Sequence, residues 1–580
     1  MTNRRFWLSL TAIVLVAIAL RGLFPAADPP WRSTVGVVWH DEGAWVHNAR
    51  NKALFGEWRQ DEWNPVFIAP VFTALEYASF AAFGVGVRQA RLVSEVVGVL
   101  SVLLLALGIR RLAGDRAGLI AGALLATNYV YVMYNRAAIM EALMAAFIVA
   151  SWYCSTRAES SPRWGALAGV MATLAFFTKA AAAFYVGALG LAALIRIAEG
   201  RWGRLLPPKG GSYGTPSSDP VASAFRRKTA IWTLAGLAVS FGLVAALFVL
   251  PHWRDYQFYN WQMSVTRKPS YDLVSVLQRV TWFPILHDTF SRMWGVLALG
   301  VVGAWGILAR WRRATDAERL LFLWVSVGIV ELLVHDVGNE RRLVFLIPAL
   351  VALASLVVVR GNLLPAEAAQ VPRRALLIVS PAILYTAYVV SGAVARVPFL
   401  DEVYAHDLRH SVRLGAAVGL VLGLIVIAAW PRLAGVAGRR LWNPSIATAL
   451  VLAFAAWNLA QFGEWAVNRT YKNYQSSLAI GQALPPETLV QGKLANGLAL
   501  DNRIRPIFIG HEFGNYADRK ERDDVRYILT YTSPRLGYEG SQITDVLDAS
   551  PGWRIIMSFD VAETPSGKDQ AVLIEKRARH

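Results

Sequence analysis

Long apolar runs separated by short polar stretches constrain the fold of this chain more than any other feature. Most of the runs approach the ~20 residues that a helix needs to cross a bilayer. Only 17% of the 580 residues are charged, whereas soluble proteins average about 25%. The sequence therefore predicts a mainly α, polytopic membrane protein. The runs lie at about 6–24, 66–84, 90–109, 116–134, 138–154, 163–178, 180–197, 229–250, 291–309, 320–335, 343–359, 376–394, 411–430 and 443–462.

Basic residues predict the direction in which the runs cross. Cytoplasmic loops are enriched in lysine and arginine. Basic groups such as those at Arg4, Arg110 and Arg312 all fall on the cytoplasmic side if every run but one early run crosses the membrane. The pattern predicts a cytoplasmic N-terminus and an outer C-terminus. It also explains the net charge of +18 as a topology signal, so we expect no nucleic-acid partner.

The run that does not cross is expected to be 66–84. It contains Pro70 and Glu76, and a charge at mid-span costs roughly 2.5–3.5 kcal/mol. We expect an interfacial or re-entrant helix there, within a first outer loop at 25–89. About thirteen membrane-spanning helices then remain.

The composition divides the chain into two predicted domains. Residues 1–462 form the membrane domain, with a flexible Pro, Gly and Ser rich linker at 207–220. Residues 463–580 read as a small α/β domain on the outer, periplasmic side. A single cysteine, Cys154, excludes a disulfide framework and a cysteine-based metal site. The strands are expected at 488–491, 506–509, 526–530, 554–559 and 571–574.

The first outer loop carries the adjacent carboxylates Asp41 and Glu42 among many tryptophans, which are typical of an interfacial helix. A carboxylate can take a proton from an acceptor, but it also suits the N-terminus of a helix. The sequence alone leaves both interpretations open. His40 and Asn64 of the same loop are candidate substrate contacts.

A second group of ionisable residues falls at the outer ends of later runs. Glu141 begins an apolar run, where an unpaired carboxylate is costly. An ion pair with Arg136 is the alternative, but five residues is a poor spacing on one helix. Lys179 lies in an outer turn, and it suits either a phosphate contact or snorkelling to lipid headgroups.

Two further outer loops carry candidate contacts. Arg341 and Arg342 are adjacent, which suits a phosphate, although a solvated turn is nearly as good an explanation. His335 beside one acid is weak evidence for a metal site, and no metal is expected. Tyr256 lies among aromatics that either belong to the interfacial belt or wall a sugar or lipid pocket.

These motifs, taken in order, resemble those of the GT-C superfamily of membrane glycosyltransferases. The most similar branch contains the protein O-mannosyltransferases and the lipid A aminoarabinose transferase, and the resemblance covers roughly residues 1–360. Its most specific feature is an Asp-Glu pair followed about a hundred residues later by another acid. The segments that carry the resemblance are HDEGAWVHNAR, NPVFIAPVFTALEYASFAAFG, YNRAAIMEAL, FFTKAAA and ERRLVFLIPAL.

The resemblance implies an inverting hexosyl- or pentosyltransferase that uses a polyprenyl-phosphate sugar donor and no cofactor. Its acceptor, a lipid, glycan or protein, would react on the outer face, and the resemblance implies that the membrane is a bacterial inner membrane. Asp41 would act as the base toward the acceptor, with Glu42 and Glu141 supporting it. The implied phosphate contacts are Lys179, Arg342, Arg341 and Arg136.

The chain departs from the family at two places, and two other functions remain as alternatives. Many relatives have a Lys or a His-Pro-Pro sequence where this chain has Trp63-Asn64-Pro65, and many have Asp where it has Glu141. The alternatives are a transporter or flippase for a lipid-linked or anionic substrate, and a scaffold. Transporters usually show internal repeats and mid-membrane charges, whereas here no repeat is visible and the charges gather at one face.

Overall fold

In the computed structural model, each predicted apolar run contains a helix. The structure describes residues 2–576 except 31–38, 159, 203–219, 264–281, 336–339, 366–367, 369–370, 372, 396–407, 510–512, 514, 516–521, 523, 532–551 and 562–569. The predicted linker therefore lies outside the described residues, apart from residue 220. The mainly α fold class is confirmed.

The helices are numbered in chain order. The first twelve in the described residues are α1 Asn3–Gly22, α2 Trp39–Trp45, α3 His47–Phe55, α4 Pro70–Phe83, α5 Val87–Thr127, α6 Tyr129–Asn135, α7 Met140–Arg157, α8 Pro162–Thr178, α9 Ala183–Trp202, α10 Pro220–Val244, α11 Trp253–Trp261 and α12 Trp282–Ala309. The later ones are α13 Asp316–His335, α14 Ile347–Arg360, α15 Arg373–Ala395, α16 Leu408–Ala428, α17 Trp430–Ala437, α18 Pro444–Val467, α19 Lys472–Ala483 and α20 Lys493–Gly497.

Among the described residues, seven helices are long and apolar enough to cross a membrane, or up to nine if each of two bent pairs is one span. The number thirteen stays a prediction. The helix α4 is not among the seven. Its 14 residues extend about 21 Å, which is shorter than the ~30 Å hydrocarbon core. Glu76 on α4 is fully buried in the protein, so its carboxylate does not face lipid.

The helix α5 contains the predicted run 90–109 and most of the run 116–134, which continues into α6, and a single glycine joins the two parts of α5. Gly114 has φ 85° and ψ 177° inside the element. Glycine adopts positive φ without the strain that a side chain would cause, so the chain breaks direction there in one residue. The ion pair between Arg110 and Asp115, at 2.7 Å, spans this break.

Five strands form one mixed sheet near the C-terminus, in the order β2-β1-β3-β5-β4. Strand β1 lies between β2 and β3 and is parallel to both, and β5 is antiparallel to β3 and β4. Each strand lies within two residues of a predicted one. The strands are β1 Leu489–Gln491, β2 Arg505–Ile507, β3 Tyr527–Tyr531, β4 Arg554–Asp560 and β5 Gln570–Glu575.

Candidate active site

The consecutive helices α7 and α8 bring a carboxylate and an ammonium group from different apolar runs to the same end of the fold. Glu141 lies in the first turn of α7, where a carboxylate interacts favourably with the helix dipole. Lys179 follows α8 directly, with an extended backbone at φ −158° and ψ 124°. Because α7 and α8 form an antiparallel hairpin, the start of one meets the end of the other.

The side chains of four predicted site residues form a continuous chain of ion pairs. Arg341 Nη1 donates to Asp41 Oδ2 at 2.5 Å, and Arg341 Nε lies 3.6 Å from Glu141 Oε1. Lys179 Nζ donates to the same Glu141 oxygen at 2.5 Å. The structure therefore gathers the short helix α2, the start of α7, the end of α8 and the 3₁₀ helix Glu340–Leu346 around one guanidinium.

This cluster has an excess of positive charge and is partly open. Arg342 interacts electrostatically with both Glu141 and Lys179, so three cations accompany two carboxylates. The side chains of Asp41, Arg341 and Lys179 are 19%, 18% and 13% exposed, whereas Glu141 is 2% exposed. Among the described residues, Glu141 Oε2 has no hydrogen-bond partner. The cluster can accept a proton and can also hold an anion.

Glu42 is adjacent to Asp41 in sequence but has different partners. Arg91 Nε and Nη2 donate to its two carboxylate oxygens at 2.7 Å each, and the backbone N–H of Ala138 donates to Oε1 at 2.9 Å. The pair is almost fully buried. Glu42 thus joins the first outer loop to α5 and to the segment before α7.

Arg136 has partners that differ from those of the other predicted phosphate contacts. Its Nη1 donates to the carbonyl oxygens of Leu20 and Arg21 at 3.0 and 2.6 Å, and its Nη2 to that of Phe24 at 2.9 Å. The guanidinium also lies over the ring of Trp465. Arg136 therefore satisfies carbonyl groups at the C-terminal end of α1 that have no partner within the helix.

The remaining candidate contacts occupy three environments. His40 is buried, with Nε2 3.5 Å from Asp41 Oδ1. Asn64 is also buried, and its amide donates to Tyr259 Oη at 2.8 Å. Tyr256 lies partly buried on α11. The side chain of His335 lies outside the described residues.

A buried pair that the sequence did not single out connects the first outer loop internally. His47 Nε2 lies 2.9 Å from Asp61 Oδ1, and both side chains are fully buried. A lone histidine in an interfacial helix gives no signal of such a partner.

Among the residues that the structure describes, no group of three or more His, Cys, Asp or Glu side chains could hold a metal ion.

Comparison with known families and structures gives matches in sequence and in fold. A family profile described as dolichyl-phosphate-mannose-protein mannosyltransferase matches residues 68–207, which include Glu141 and Lys179. Comparison with curated proteins finds no significant sequence relative.

Two solved structures of ArnT from Cupriavidus metallidurans have a similar fold. The apo structure is 18% identical with a TM-score of 0.54, and the structure bound to undecaprenyl phosphate is 16% identical with a TM-score of 0.53. Each match covers 99% of this chain and 98% of ArnT. These findings confirm the resemblance that the motifs indicate: the chain has the fold of the GT-C membrane glycosyltransferases, and residues 68–207 match the mannosyltransferase family within them.

Proposed function

We propose that this protein moves a hexosyl or pentosyl group from a polyprenyl-phosphate donor to an acceptor at the outer face of the membrane. One observation carries the proposal: Asp41, Arg341, Glu141 and Lys179 are joined side chain to side chain in a partly open cluster. Groups that can take a proton are thus placed beside groups that can hold a phosphate, as this reaction requires.

Asp41 is the proposed general base. It takes a proton from the acceptor hydroxyl or amine while the acceptor atom forms a bond to the anomeric carbon of the sugar. The bond between that carbon and the phosphate oxygen breaks, its electron pair leaves on the polyprenyl phosphate, and the configuration inverts. The proton then passes from Asp41 to water. Such general-base assistance contributes about 10²–10⁴ in rate.

The cations are proposed to stabilise the leaving group. A polyprenyl-phosphate sugar carries one negative charge, and the polyprenyl phosphate that departs gains another. The extra positive charge of the cluster matches this change, since preorganised cations stabilise charge that develops in the transition state. Lys179 and Arg342 are the proposed phosphate contacts. Arg341 is already bound to Asp41, so we propose that it orients the base, and no metal ion is required.

The similar fold of ArnT supports the choice of donor, because one ArnT structure is bound to undecaprenyl phosphate. By the same resemblance we propose a bacterial inner membrane, with the N-terminus in the cytoplasm and the sheet-containing region in the periplasm. The acceptor is proposed to be a lipid, a glycan or a protein that presents a hydroxyl or amine there.

Transfer by the purified protein tests the proposal. Proteoliposomes would receive a panel of labelled undecaprenyl-phosphate hexoses and pentoses together with outer-membrane lipid, glycan and peptide acceptors. Label that becomes covalently attached to an acceptor is the expected result. Movement of labelled donor across the bilayer without any attachment would instead identify a transporter or flippase.

Removal of the charge at Lys179 is expected to weaken phosphate binding. Hydrogen bonds to charged groups contribute about 1.5–3 kcal/mol, so Lys179→Met should raise the Kd for undecaprenyl phosphate roughly 10- to 100-fold. Equilibrium binding of labelled undecaprenyl phosphate to the protein in nanodiscs measures this. The matched control is Lys52→Met, because Lys52 belongs to the first outer loop and, within the described residues, donates to the carbonyl of Gly56 and to no other group. Equal affinity of the Lys179 variant and the wild type would contradict the assignment.

A further inference from the structure

The short helix that carries Asp41 packs backbone to backbone against α20, 450 or so positions later in the chain. A Cβ atom added to Gly43 would overlap the carbonyl oxygen of Asn496, and one added to Gly497 would lie 2.7 Å from His40 Cα. Real Cβ atoms essentially never come within 3.0 Å of another heavy atom in this way. Only glycine at these positions lets α2 and α20 approach so closely.

A buried hydrogen-bond chain runs beside this contact. Asn496 Nδ2 lies 2.9 Å from His47 Nδ1, and His47 Nε2 lies 2.9 Å from Asp61 Oδ1. The other oxygen of Asp61 accepts from the backbone N–H of Phe508 at 2.7 Å. A buried donor or acceptor left without its partner costs about 1–3 kcal/mol. These hydrogen bonds therefore fix α3 and the segment after it against residues 496–508.

Arg50 provides a third attachment between the same two parts. Its Nε donates to the carbonyl oxygen of Ala499, and its Nη2 to those of Asn502 and Ile504, each at 3.0 Å. Burial lowers the pKa of Arg50 to about 9, because enclosing a charged guanidinium is costly. The hydrogen bonds to the three carbonyl groups offset part of that cost. Because only Val46 separates α2 from α3, whatever holds α3 also holds α2.

None of these groups takes part in the proposed chemistry, yet together they attach α2, α3 and the segment after them to residues 496–508. We propose that segment 493–508 is a positioning element of the transferase site: through Gly43, Asn496 and Arg50 it sets the orientation of α2 and hence of the base. The inference rests on the proposed function. A catalytic group displaced by about 1 Å can lose roughly 10² in rate, so small shifts of α2 should be visible in kcat.

The test compares glycine variants that differ only in their surroundings. Gly43→Ala forces α2 away from α20 and is expected to lower kcat for sugar transfer about 100-fold. The Kd for undecaprenyl phosphate should stay within about twofold of the wild type, because Lys179 and Arg342 are on other elements. Gly187→Ala in α9 is the matched control, since nothing lies within 4 Å of its added Cβ, and it should transfer normally.

Asn496→Ala gives a second measurement that does not push helices apart, and it decides the matter if Gly43→Ala fails to fold. It removes the partner of His47 Nδ1 and is expected to lower kcat about 10-fold with the same unchanged Kd. Wild-type kcat in both variants, or a parallel loss of undecaprenyl phosphate binding, would overturn the inference. Failure of the wild type itself to transfer any sugar would instead remove the proposed function.

Discussion

Asp41→Asn is expected to lower the rate of sugar transfer by about 10²- to 10⁴-fold, the range that general-base assistance contributes. An amide has nearly the same shape as the carboxylate and can still accept a hydrogen bond from Arg341, but it cannot take up the acceptor proton. The defect should therefore appear in kcat and not in binding. Initial rates with saturating donor, together with the Kd for undecaprenyl phosphate, separate the two.

Glu57→Gln is the matched control for that experiment. Glu57 belongs to the same outer loop, but its side chain is 64% exposed and its ion pair with Arg505 is long, at 4.0 Å. The control should transfer at the wild-type rate. Full activity of Asp41→Asn with donor and acceptor both present would remove Asp41 from the mechanism. Glu141, whose buried Oε2 has no hydrogen-bond partner among the described residues, would then be the remaining acid of the cluster.

Arg91→Met is expected to lower the free energy of unfolding by about 3–5 kcal/mol, because it leaves the buried carboxylate of Glu42 without its cation. Arg91 also donates to the carbonyl oxygens of Pro25 and Ala27, so the variant loses its contacts to the start of the first outer loop as well. Chemical denaturation in detergent micelles, followed by circular dichroism, measures the change.

The control for this variant differs chiefly in exposure. Arg59 makes a bidentate ion pair with Asp255, and the shorter of its two hydrogen bonds is 2.6 Å. These side chains, however, are 52% and 35% exposed. Solvent screens such a pair, and its contribution is typically about 0–1 kcal/mol. Arg59→Met should therefore be nearly neutral. If Arg91→Met were as stable as Arg59→Met, burial of the Glu42 pair would not stabilise the fold as we describe.

The sequence predicts the helices and strands well because their signals are local. Apolar runs of spanning length have few other structures available in a bilayer. Most of the short strands are rich in β-branched and aromatic residues, which are typical of strands. The break in α5 also has a local cause, since only Gly114 tolerates its positive φ. Local patterns of this kind do not depend on what the rest of the chain does.

The division of roles between Asp41 and Glu42 is not predictable in this way. Neighbouring residues on an α-helix point about 100° apart, so one of the two can face the site while the other is buried, and the sequence does not say which. The structure pairs Asp41 with Arg341 and Glu42 with Arg91. The partners of Arg136 could not be predicted either, because they are backbone carbonyl groups, which every residue has and which no sequence motif identifies.

The docking of the sheet-containing region on the first outer loop has a consequence for how the protein is made. Arg50 and its acceptor Ala499 are 449 residues apart, and ribosomes add about 5–20 residues per second. The nascent first loop therefore waits roughly 20 to 90 s before its buried arginine, histidine and aspartate can meet their partners. During that interval these polar side chains keep their hydrogen bonds to water, and the loop cannot bury them until residues 496–508 have been made.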